Sequence, residues 1–114
     1  MVRLDRIDAP EKGQPYADRA RAYLREMILG KRIKLAQYGQ DSYQRIMGII
    51  FCDGVEVNLK ILQEGYAWHY NYYDKTPSYI KAEQHARKNR LGLWQDPHPV
   101  NPYTFRKSQS KNQN

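Results

Sequence analysis

Val2-Arg3-Leu4-Asp5-Arg6-Ile7-Asp8-Ala9-Pro10-Glu11 is the stretch on which the reading of this chain turns. From Val2 to Ile7 apolar and polar residues alternate with a period of two, the mark of a half-buried strand, and Ala9-Pro10 then stops it. Arg3 therefore lies inside a strand, while Asp8 and Glu11 sit in the turn that ends it. A guanidinium and two carboxylates thus meet within nine residues. Attack of water on a phosphodiester needs such groups: a base to take the proton, and cations for the charge developing on phosphate. Arginine suits the second task because its planar fork holds two phosphate oxygens and stays charged. The same residue types at such spacings also make plain surface ion pairs.

Outward from this stretch the pattern changes. After Pro15, Tyr16, Ala20, Tyr23, Leu24, Met27 and Ile28 recur at threes and fours and Gly30 follows, which predicts an amphipathic helix over 16–29. Lys31 to Tyr38 reads as a second strand, and Gly39 to Ser42 as a turn. A third strand runs from Tyr43, with apolar groups on both faces from Ile46 to Phe51, so it should be central, and it carries Arg45. Asp53-Gly54 closes a hairpin into Val55-Glu56-Val57, and Asn58 is expected to cap a short helix ending at Gly65. Residues 66–79, with Trp68 and many tyrosines, read as an aromatic loop and candidate base platform. Pro77-Ser78 opens a last helix that Gly92 ends. Beyond Trp94 no periodicity is left, and 107–114 reads as a disordered polar tail.

Composition bounds the partners. The 114 residues suffice for one domain, 1–106, with a modest core. Nineteen Lys+Arg against twelve Asp+Glu give a net charge of +7, which draws polyanions and puts nucleic acid first. The lone Cys52 excludes an internal disulfide. No run reaches the roughly eighteen apolar residues of a membrane helix, and no signal peptide opens the chain, so its compartment is unread. His69, His85 and His98 form no metal spacing and read as ordinary surface or half-buried residues.

The opening stretch resembles the R-L-x-x-I-D-A-P-E signature of staphylococcal-nuclease-like domains. Later segments are similar to that family in order and spacing: Gln14-Pro15-Tyr16-Ala17, Asp41-Ser42-Tyr43-Gln44-Arg45, Asp53 to Asn58, Glu64 to Trp68, Ala82 to Ala86, and Leu91-Gly92-Leu93-Trp94. The segment from Trp94 to Arg106 resembles the tail of the bacterial and plasmid-borne branch. The resemblance implies an α+β fold, an OB-like five-stranded barrel with packed helices. It implies a Ca²⁺-dependent phosphodiesterase, an endonuclease acting on DNA and RNA with little sequence preference.

Carried over by position, Arg3 and Arg45 are the phosphate-binding arginines and Glu11 the general base. Asp8 binds calcium, and Ala9 stands where the family offers a main-chain carbonyl to the metal. Tyr43 matches a phosphate-contacting tyrosine, and Tyr70 and Tyr72 are unaligned candidates for base contacts. Gln44 departs from the family's glycine before the second arginine. The family also begins with two further strands and an aspartate that ligates calcium, which the chain as read from Met1 lacks. That departure implies a weaker calcium site and bared strand edges, covered by self-association or by a longer product. It also leaves open a second class of function: a nucleic-acid-binding module of OB type that no longer cuts.

Overall fold

β4 (Ile46–Cys52) is the strand around which the rest is arranged. A computed structural model describes residues 2–40, 46–71 and 74–112. In it β1 (Val2–Leu4) runs parallel to β4, pairing Arg3 with Met47 and Leu4 with Gly48. β3 (Ile33–Gln40) lies antiparallel on the other edge, with a bulge between Gln37 and Gly39, and β5 (Val55–Glu56) turns back on the end of β4. The central position expected for this strand holds: Ile49, Ile50 and Cys52 are buried.

The single strand expected over residues 2–7 is two. Arg6 takes a left-handed backbone (φ 71°), stabilised as its N–H donates to Asp5 Oδ1 at 2.9 Å, and the chain turns there. β2 (Ile7–Asp8) then leaves the first sheet and pairs antiparallel with β6 (Trp68–His69). Residues 66–71 are therefore not all loop. Backbone pairing claims Trp68 and His69, and Tyr66 packs on the core. The two sheets are not closed into a barrel among the described residues, and the fold class is α+β.

α1 (Ala17–Ile28) turns Tyr23, Leu24, Met27 and Ile28 onto the main core. α2 (Val57–Gln63) buries Val57, Ile61 and Leu62 there, and α3 (Pro77–Lys88) adds Tyr79 and Ala82. A smaller core gathers Ala86, Leu93 and Trp94 with Tyr16, Trp68 and Leu91. In it the indoles of Trp68 and Trp94 meet edge to face at 4.5 Å, and the Arg87 guanidinium lies over both. The turns after α2 and α3 clasp: a Cβ on Gly65 (φ +83°) would stand 2.2 Å from Leu91 O.

Asn58 does not cap α2. It lies inside the first turn, wholly buried, and its amide serves the strands instead. Oδ1 accepts from Ile50 N–H at 3.1 Å, while Nδ2 donates to Asp5 O and Gly48 O, both at 3.0 Å. This joins α2, β4 and the β1–β2 turn. α4 (Pro102–Asn112) follows a short 3₁₀ turn (Gly92–Gln95), and it carries regular structure past Lys107 although the sequence there has no apolar period. No helix among the described residues is long and apolar enough to cross a membrane.

Candidate active site

The β1–β2 turn and the segment after it set the site. β1 presents Arg3, and β2 ends on Asp8, which is 7% exposed. Arg3 Nη2 lies 3.8 Å from Asp8 Oδ1, and the Arg3 guanidinium stands 5.4 Å from the Tyr70 ring centroid. Tyr70 is placed by its own backbone, since its N–H donates to Arg6 O at 2.9 Å.

Glu11 is held by Gln14. The Glu11 N–H donates to Gln14 Oε1 and the Gln14 N–H to Glu11 O, both at 2.8 Å, which closes the turn upon itself. Gln14 Nε2 in turn donates to Val100 O at 2.9 Å, pinning this turn to the C-terminal segment. The Glu11 side chain is left over a third exposed, beside the buried Asp8.

Both carboxylates converge on Arg106 from α4. Its Nη2 donates to Asp8 Oδ2 at 3.0 Å, and its Nη1 to Asp8 Oδ1 at 3.2 Å and to Glu11 Oε1 at 2.5 Å. The hydrogen bond to Asp8 raises the pKa of Arg106 above its ordinary value, part burial opposes the rise, and the bond to Glu11 adds to it. Behind the site Arg6 is set between Asp5 and Asp74, at 3.9 and 3.8 Å. Asp74 also meets His69 Nε2 at 2.8 Å and accepts from Thr76 Oγ1 at 2.7 Å.

The chain matches the model of the staphylococcal nuclease homologue family over residues 1–96, which takes in Arg3, Asp8 and Glu11. It belongs to that family. It is 42% identical over 106 residues to a probable staphylococcal-like nuclease, CAN1, of Oryza sativa subsp. japonica, covering 93% of this chain and 32% of the relative. It is 34% identical over 111 residues to an uncharacterized endonuclease of Haemophilus influenzae, covering 97% and 62%. It is 35% identical over 122 residues to the micrococcal nuclease of Shigella flexneri, covering 97% and 70%. The chain thus spans 32% of the first of these nucleases and 62% of the second.

For this staphylococcal nuclease homologue, the sequence-predicted Arg3, Asp8, Glu11 and Tyr70 come together. Ala9 is exposed beside them. Arg45, Tyr43 and Tyr72 lie outside the described residues. Sequence reasoning missed Arg106 as a partner of the carboxylates, and missed what Gln14 and Asn58 do. Gln14 stood within a family segment without a role, Arg106 lies 95 residues from Glu11 with no local pattern to point at it, and Asn58 looked like a cap.

The donor set suits a hard cation. Asp8 and Glu11 offer carboxylate oxygens alone, and they already converge on one positively charged nitrogen. No group of three or more His, Cys, Asp or Glu that could hold a metal exists among the described residues.

Proposed function

We propose that this chain hydrolyses phosphodiester bonds of DNA and RNA with little sequence preference, as a calcium-dependent endonuclease. The observation that carries the reading is the meeting of Arg3, Asp8 and Glu11 at the end of β2. Family membership supports it, as do the relatives described as nucleases. In this reading Glu11 takes the proton from the attacking water as its oxygen bonds to phosphorus and the ester oxygen leaves. Arg3 and Arg45 donate to the non-bridging oxygens, whose charge grows as the bond forms. Asp8 and the Ala9 carbonyl would hold a calcium ion, which supplies charge neutralisation at the attacked phosphate.

Tyr70 flanks Arg3 and, with Tyr43 and Tyr72, would contact substrate. The exposed Lys31, Arg32 and Lys34 on and beside β3 give the polyanion a positive approach. We also assign the strands to the family's five-stranded barrel. Ile33 and Leu35, 45% and 42% exposed on β3, would be covered where that barrel is complete, through self-association or by further strands.

The occupation of both carboxylates by Arg106 favours one alternative, a module that grips nucleic acid without cutting it. Cleavage of a quenched fluorescent oligonucleotide, with calcium and with chelator, decides between them. The enzyme reading requires calcium-dependent cleavage that falls about 10²- to 10⁴-fold in Glu11→Gln. Salt-sensitive binding without cleavage by the folded chain would establish the module instead.

A further inference from the structure

Two carboxylates side by side repel unless a cation lies between them, and in this molecule the cation comes from the chain itself. Arg106 reaches both oxygens of Asp8 and one of Glu11 with a single guanidinium. A metal ion on these oxygens would set a second cation against the guanidinium, and the two positive charges compete for the same pair of carboxylates. The 2.5 Å bond to Nη1 also takes up Glu11 Oε1, one of the two oxygens with which Glu11 would accept a proton from water.

The element that delivers Arg106 is lightly held. Pro102 is wholly buried, Asn101 Oδ1 accepts Tyr103 N–H at 2.8 Å, and Phe105 reaches toward Gly13, so the first turn of α4 is anchored. Past that turn Lys107, Ser108 and Gln109 are exposed, as are Tyr103 and Thr104 on its outer side. The Arg106 side chain itself is 39% exposed, against 8% for that of Asp8. The carboxylates are thus fixed by strand pairing and by Gln14, while their cation sits on a helix that, among the described residues, is anchored at its first turn and exposed over 107–109.

We propose that Arg106 is an internal counter-ion that competes with a divalent cation for Asp8 and Glu11, which makes α4 a latch released when the metal binds. This rests on the reading of Asp8 and Glu11 as the metal-binding and proton-accepting groups. Linkage fixes the consequence: whatever the metal does to the latch, loss of the latch must do in reverse to metal affinity.

The test is a calorimetric titration of the full chain with calcium chloride, for the wild type, Arg106→Ala and Asp8→Asn, with hydrogen exchange followed along 102–112. Arg106→Ala should bind calcium about tenfold more tightly, the scale of one charge-assisted hydrogen bond no longer broken. In the wild type, saturating calcium should speed amide exchange in α4, a readout that needs no variant. Equal affinity in wild type and Arg106→Ala, with Asp8→Asn weakened and α4 exchange unchanged, overturns the latch and keeps the metal site. Calcium binding by none of the proteins, or binding that Asp8→Asn leaves intact, overturns the reading of the site and the latch with it.

Discussion

The turn that carries Asp8 and Glu11 and the helix that carries Arg106 meet at one point, yet they are built to opposite standards. Beneath the turn, Asn58 makes three hydrogen bonds to backbone groups, and Gln14 closes the loop around Glu11. Behind α4, among the described residues, the buried Pro102 holds the first turn together with Asn101 and Phe105, and the Arg106 side chain is 39% exposed. The acidic side of the site is preorganised and the basic side is exchangeable. If the site admits a cation and a polyanion as proposed, that division suits it, because fixed carboxylates bind without reorganisation while a movable arginine can yield.

The largest expected effect tests the fixed side. Glu11→Gln and Arg3→Ala should each lower oligonucleotide cleavage by about two to four orders of magnitude while leaving the urea midpoint close to wild type. Unchanged rates in either variant would remove that residue from the chemistry. Next comes Asn58→Ala, which removes the buried hydrogen bonds to Ile50 N–H, Asp5 O and Gly48 O and should cost roughly 2–4 kcal/mol in urea unfolding. A loss under about 0.5 kcal/mol, the range of ordinary surface changes, would mean that water replaces the amide and that the turn is not held from below.

Gly65→Ala places a methyl against Leu91 O at a left-handed backbone position, with an expected loss of about 1–3 kcal/mol by the same measurement. A neutral result would show the clasp between the α2 and α3 turns to be free to spread. The fourth effect depends on pH. Burial alone would raise the Asp74 pKa, but the hydrogen bonds from His69 and Thr76 bring it below the ordinary Asp value. With the folded pKa depressed, its contribution is present above the unfolded value of about 4 and is lost as pH falls through the folded one. Asp74→Asn should therefore be less stable than wild type at neutral pH, with the gap closing in acid. A gap that stays constant across that range would deny Asp74 its role.

The smallest effect belongs to the exposed side. Lys107→Ala should change stability by less than about 0.5 kcal/mol, and a larger loss would show α4 to be better anchored than its exposure implies.

What could be read from sequence follows the same division. α1 and α3 were legible because their apolar residues recur at helical spacing, and β4 because both its faces are apolar. The break between β1 and β2 was missed, because the alternation read as running to Ile7 fails at Arg6, where a period of two calls for an apolar residue and finds a cation. Asn58 misled because an asparagine at a strand-to-helix junction is usually a cap, and only the approach of Gly48 and Asp5 makes it a buried bridge. α4 carries no apolar stripe, so no periodicity could announce it. Arg3, Asp8 and Glu11 were legible together because one short segment holds all three. Arg106 was not, since its partners are supplied by tertiary structure alone.

Trp68 and Trp94 are the chain's two tryptophans, and they are in contact. Their ultraviolet transitions should couple, so near-ultraviolet circular dichroism carries a signature of this one contact. Intrinsic emission, for the same reason, is a local gauge: it follows the corner where β6 meets the end of α3, and a change at the site reaches it through β2, where Asp8 pairs with Trp68.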